Sequence, residues 1–144
     1  MKVLHGLCVA LLLAATPLAQ GSSTEPGKVI AGWVEKISLV EPVLTLKAKL
    51  DTGAKTSSIH AINVEEFMRD GDRWVRFDLL LDDVDDKQHT LHMEKPKVRR
   101  VRIKDNDGDD DRRAVVELEI CFDGRRHVTE FTLAQRTDYI YDVL

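Results

Sequence analysis

Cysteine is nearly absent from this 144-residue chain, which contains only Cys8 and Cys121. Cys8 lies in an amino-terminal apolar run whose removal leaves Cys121 alone, so no intrachain disulfide can brace the fold. Cys121 then reads as a buried apolar residue and not as a nucleophile. No apolar run reaches the roughly 20 residues that cross a bilayer as a helix. A Gly-rich loop ending in Lys-Ser or Lys-Thr is missing, which excludes ATP as a ligand of this chain. Neither a His-Glu-x-x-His helix nor a cysteine pair is present, and His89 and His92 stand three apart in a strand pattern, on opposite faces. No metal and no cofactor are therefore expected. An excess of basic charge is lacking too. With 21 Lys and Arg against 25 Asp and Glu, the net charge is −4, and nucleic acid is excluded as the main partner, because phosphate binding draws on clustered cations.

What is present begins with a leader. Lys2, the apolar stretch Gly6 to Leu18 and the small-residue end Ala19-Gln20-Gly21 have the layout of a secretory signal peptide over residues 1–21. The expected location is periplasmic or secreted, with no membrane attachment after cleavage. Residues 22–28 form a polar linker, and residues 29–144 suffice for one domain with a modest single core.

Within that domain the apolar period is two. Leu44, Leu46, Ala48 and Leu50 alternate with polar residues, as do Val75, Phe77, Leu79 and Leu81, and then Val116, Leu118, Ile120 and Phe122. Each set predicts a strand with one buried face. Thr129, Phe131 and Leu133 follow the turn signal Asp123-Gly124, and Asp70-Gly71 is a second such signal. The fold class is therefore all-β, a closed or sandwich-like barrel. One short helical turn is expected near Val64 to Met68. Asp82 to Lys87 reads as a solvated turn. Asp105 to Asp111 reads as an acidic hairpin tip, because its spacing does not place ligands as an EF-hand loop does.

The segment with chemical promise is Ala48-Lys49-Leu50-Asp51-Thr52-Gly53-Ala54-Lys55-Thr56-Ser57-Ser58-Ile59-His60-Ala61. An apolar strand runs into Asp51 and the chain returns in a second strand. Gly53 permits a tight turn and close approach to the carboxylate, and the Thr52 hydroxyl can both donate and accept. As a bare tripeptide, Asp51-Thr52-Gly53 is also an ordinary β-turn. If two such loops face each other, like charges a few ångströms apart share one proton, and the pair supplies both a general base and a general acid. Aspartic peptidases are the standard illustration of that pKa logic. Only one Asp-Thr-Gly occurs in the chain, so the second carboxylate must come from a second copy in a two-fold homodimer.

The segment resembles a family of bacterial retropepsin-like aspartic peptidases, often labelled ATP-dependent zinc proteases and associated with ATP-grasp glutamate ligases. The resemblance starts at Gly32-Trp33-Val34-Glu35, runs through Asp51 to Ser58 and His60-Ala61, and continues in Arg69 to Phe77, Pro96 to Val101 and Phe131 to Arg136. It implies a retropepsin-like barrel and an endopeptidase hydrolysing peptide bonds, with Asp51 catalytic and Thr52, Gly53 and Ala54 as its supporting loop. Thr56, Ser57, His60, Arg99 and Arg100 are secondary candidates. Family members continue past the segment matching Tyr139 to Leu144 into a Gly-Arg turn and an apolar strand that threads behind the catalytic loop. The resemblance thus implies that the sequence is either a fragment or a domain over residues 29–144 that lacks this support strand, and it leaves a second reading open: a non-catalytic periplasmic binding or assembly module on the same fold.

Lys97, Arg99, Arg100, Arg102 and Lys104 make a basic stripe in an acidic chain. It is either a solvated edge strand protected by charge or a surface for a peptide or protein substrate of acidic character. The hairpins Glu65 to Phe77 and Val84 to Lys95 are the two candidates for covering the cleft.

Overall fold

The alternating segments become eight strands in a computed structural model that describes residues 29–104 and 110–144. The expected leader and linker and most of the expected acidic tip lie outside the described residues. The strands are β1 (Val34–Leu39), β2 (Leu44–Lys49), β3 (Ser57–Arg69), β4 (Asp72–Asp82), β5 (Gln88–Pro96), β6 (Arg99–Lys104), β7 (Asp110–Phe122) and β8 (Arg125–Ala134). They form one curled sheet in the order β2-β1-β7-β8-β3-β4-β5, with β6 paired to the first half of β7. No helix occurs among the described residues.

Two tight hairpins follow directly from their turn residues. Asp70 and Gly71 have φ of 52° and 89°, and Asp123 and Gly124 have 49° and 70°. Positive φ at both central positions matches the twist of flanking strands, and Asp-Gly tolerates it. β3 and β8 run parallel, with Ser57 opposite Phe131 and His60 opposite Ala134. This pairing joins the first half of the domain to its end.

The core lies inside the curl. Val75, Phe77, Leu79 and Leu81 are all buried, and they meet Ile59, Ala61, Phe131 and Leu133 from β3 and β8 and Leu46 and Ala48 from β2. Ile120 and Phe122 pack against this core only in part. Cys121 is also only half-buried, because it lies near the end of β7, opposite Ser38 and Arg126 and beyond the core.

The helical turn expected at Val64 to Met68 is instead the outer half of β3. A bulge between Ile62 and Glu65, with Asn63 at φ 53°, adds one residue to β3 relative to β4. It breaks the alternation in the sequence without breaking the strand. After the bulge Phe67 lies opposite Trp74, and Arg69 and Arg76 lie over the Phe67 ring. The Asp82 to Lys87 turn is less free than a solvated turn. The Asp83 carboxylate accepts the N–H groups of Asp85 and Lys87 and faces His89 Nε2 at 2.7 Å, while Val84 N–H reaches Thr45 O of β2.

Candidate active site

β2 ends at Lys49 and β3 begins at Ser57, and the turn between them presents Asp51. Ala54 N–H closes it on Asp51 O at 3.2 Å. Gly53 N–H donates to Asp51 Oδ1 at 2.9 Å, so the loop backbone aims its own carboxylate. Gly53 is not among the residues with positive φ. Its requirement is space, since a Cβ there would lie 3.3 Å from Asp51 Oδ1. The other carboxylate oxygen faces Lys49 Nζ at 3.7 Å, an exposed pair worth about 0–1 kcal/mol. Asp51 is open to solvent at the rim of the domain.

The turn rests on the end of the chain. Val143 is buried between β2 and β3, bridged in parallel to Ala48 and antiparallel to Ile59. Lys49 N–H donates to Val143 O, His60 N–H to Asp142 O, and Ser58 and Leu144 exchange both backbone hydrogen bonds. Both strands that hold the Asp51 loop are thereby fixed to one short segment behind it.

Two cavities flank the carboxylate. One of about 300 Å³ is lined by Asp51, Thr52, Ala54, Thr56, Ser57 and Leu144. The other, about 420 Å³, is lined by Asp51, Lys49, Trp33, Arg136, Asp138, Tyr139, Ile140 and Tyr141. Trp33 meets Tyr141 edge-on at 5.9 Å. Trp33, Tyr139 and Ile140 are exposed, Ile140 to 91%, so an apolar rim borders the loop.

The structure brings together Asp51, Thr52, Gly53, Ala54, Thr56 and Ser57. His60 lies behind them, buried, with its Nδ1 accepting the Arg136 backbone N–H at 2.7 Å. Arg99 and Arg100 are elsewhere. Arg99 pairs with Glu130 and Arg100 with Glu66, which also takes Lys97. These partners hold the Glu66 carboxyl below its usual range, chiefly through the Arg100 hydrogen bond. Much of the basic stripe is thus spent on glutamates of the same chain, and neither arginine lines a cavity beside Asp51. Sequence reasoning missed Arg136, Trp33 and Tyr139 as wall residues. Their apolar or basic character was visible, but the chain reversal that brings residues 136–144 back to the loop follows no period.

Among the described residues, no three His, Cys, Asp or Glu side chains converge as a metal site. His89 and His92 face Asp83 and Asp78 respectively.

An all-β curled sheet that presents a single Asp-Thr-Gly-Ala turn between two core strands defines a retropepsin-like domain. The family described as "Retropepsin-like aspartic endopeptidase RimB" matches residues 30–144, and the chain belongs to this family. It is 33% identical over 115 residues to a protein of Desulfotalea psychrophila named "Probable alpha-L-glutamate ligase", covering 79% of this chain and 25% of that protein. A protein of the same name from Shewanella pealeana is 36% identical over 102 residues, covering 71% and 22%. The chain thus spans about a quarter of the length of these curated relatives. A crystal structure of the protein Lpg0085 from Legionella pneumophila, of unknown function, superimposes with a TM-score of 0.67 at 32% identity, covering 82% of this chain and 83% of that one.

Proposed function

We propose that the protein is an aspartic endopeptidase in which Asp51 from each of two identical chains forms the catalytic dyad. The observation that carries this reading is the aim of Asp51: its own loop holds one carboxylate oxygen through Gly53 N–H and leaves the carboxylate open at the domain rim. The exposed Trp33, Tyr139 and Ile140 beside it suit burial against a second copy. In the dimer the two carboxylates share a proton; one removes a proton from water while the other donates to the peptide carbonyl. Relatives named "Probable alpha-L-glutamate ligase", of which this domain matches one part, support a glutamyl or otherwise acidic peptide as substrate. The signal-peptide layout expected over residues 1–21 supports a reaction outside the cytoplasm.

The test is Asp51→Asn, alone and in mixed dimers with wild type, with peptide cleavage and sedimentation measured on the same samples. Cleavage falls by about 10²-fold or more in both the variant and the mixed dimer, while dimerisation persists. Full cleavage by the variant, or by strictly monomeric wild type, would overturn the dyad; no cleavage by dimeric wild type would favour a non-catalytic binding module on this fold.

A further inference from the structure

Arg136 has no task in the dyad, yet it is the most buried cation whose surroundings reach Asp51. It is 7% exposed. Its Nη1 donates to Ser58 Oγ at 2.8 Å and its Nε to Tyr141 O at 3.2 Å, and the Tyr139 ring lies 4.3 Å from Cζ. All these partners are neutral. Among the described residues no carboxylate forms an ion pair with it. Asp142, which acts on it at longer range, spends Oδ2 on the Asp82 N–H. The like charge of Arg113 also bears on it, and Asp111 already pairs with Arg113. Burial accordingly pulls the Arg136 pKa below the usual guanidinium value.

Keeping a guanidinium in such a place without an anion is costly. The group stays charged, and its planar fork of five N–H donors exceeds what Ser58 and Tyr141 accept. It lines the same 420 Å³ cavity as Asp51, and the fork geometry matches a carboxylate. Asp51 and Asp138 stand on that wall as well, so an incoming carboxylate is steered to the Arg136 and Lys49 side and a second one is repelled.

We propose that Arg136 is a specificity-determining residue that binds a carboxylate of the peptide whose backbone lies at Asp51. This rests on the peptidase reading and adds to it the residue that recognises the acidic group. The carboxylate is either an acidic side chain or the free end of the peptide.

Binding separates this proposal from cleavage. On an Asp51→Asn background, three short N-acetylated peptides are titrated by NMR: one with Glu and an amidated end, one with Gln and an amidated end, and one with Gln and a free end. The expected result is tighter binding of one carboxylate-bearing peptide over the doubly neutral one by about tenfold or more. The two arms tell side chain from chain end. Arg136→Gln brings that ratio to about one, and Arg136→Lys retains part of it. Equal loss for all peptides in Arg136→Gln, with the ratio kept, would show a purely structural residue and overturn the proposal. If Arg136→Gln does not fold, the Arg136 Nε–Hε resonance of the Asp51→Asn protein decides: it moves with a carboxylate-bearing peptide and not with the neutral one. An unmoved resonance, or no saturable binding of any carboxylate-bearing peptide, overturns it equally. Loss of cleavage in Asp51→Asn bears on the dyad alone.

Discussion

His60 Nδ1 accepts the backbone N–H of Arg136 across 76 residues of sequence, at 2.7 Å and fully inside the domain. The imidazole joins β3 to the point where the chain turns back toward the Asp51 loop. His60→Phe fills the space but leaves that N–H without a partner, so stability falls by about 1–3 kcal/mol. His60→Asn offers an oxygen close to the Nδ1 position and recovers part of the loss. Urea unfolding of the three proteins checks the order; equal stability of the Phe and wild-type proteins would show that the bond contributes nothing.

Gly53→Ala tests how the carboxylate is aimed. The new Cβ would sit 3.3 Å from Asp51 Oδ1, tighter than ordinary contact, and the backbone conformation needs no glycine. Asp51 therefore rotates away from the Gly53 N–H, and peptide cleavage drops at least about tenfold through misplacement of the acid. The unfolding midpoint changes little. Retained cleavage with a stable fold would show that the alignment is dispensable.

Acid stability follows from Asp83. Its hydrogen bonds from His89, Lys87 N–H and Asp85 N–H lower its pKa from 3.8 to about 2 in the folded protein. A depressed carboxylate contributes stability that is full above the unfolded value and is lost as pH falls through the folded one. Stability due to Asp83 should therefore decline between about pH 4 and pH 2. Glu66 and Asp78 are lowered as well, so the comparison must be with Asp83→Asn, whose stability falls less steeply in that window. Parallel pH curves for the two proteins would contradict the assignment.

Much of the fold was written in alternation. Phe77 and Leu79 are buried as their period requires, and both Asp-Gly turn signals fall on hairpin turns, with positive φ. Alternation failed where one residue was inserted, since the bulge before Glu65 shifts the pattern and imitates a helical turn. The Asp51 loop was legible because a strand leads straight into it. Arg136 was not, because nothing local in Ala134-Gln135-Arg136 shows that its guanidinium folds inward onto Ser58. Arg99 and Arg100 misled for the opposite reason. Their charges were plain, but Glu130 and Glu66, about 30 residues away, become their partners only through the sheet.

The parallel alignment of Ser57 with Phe131, together with the Ser58–Leu144 hydrogen bonds, makes the Asp51 turn depend on residues synthesised well after it. Local hairpins such as β4–β5 and β7–β8 can close early, whereas this pairing waits for a long loop to close. During synthesis the carboxylate therefore has no fixed orientation until nearly the whole domain has emerged. A nascent chain stalled before Phe131, or a product clipped there, carries the Asp51 turn without the strand and segment that anchor it in the domain, so the timing of assembly itself guards against a half-made site.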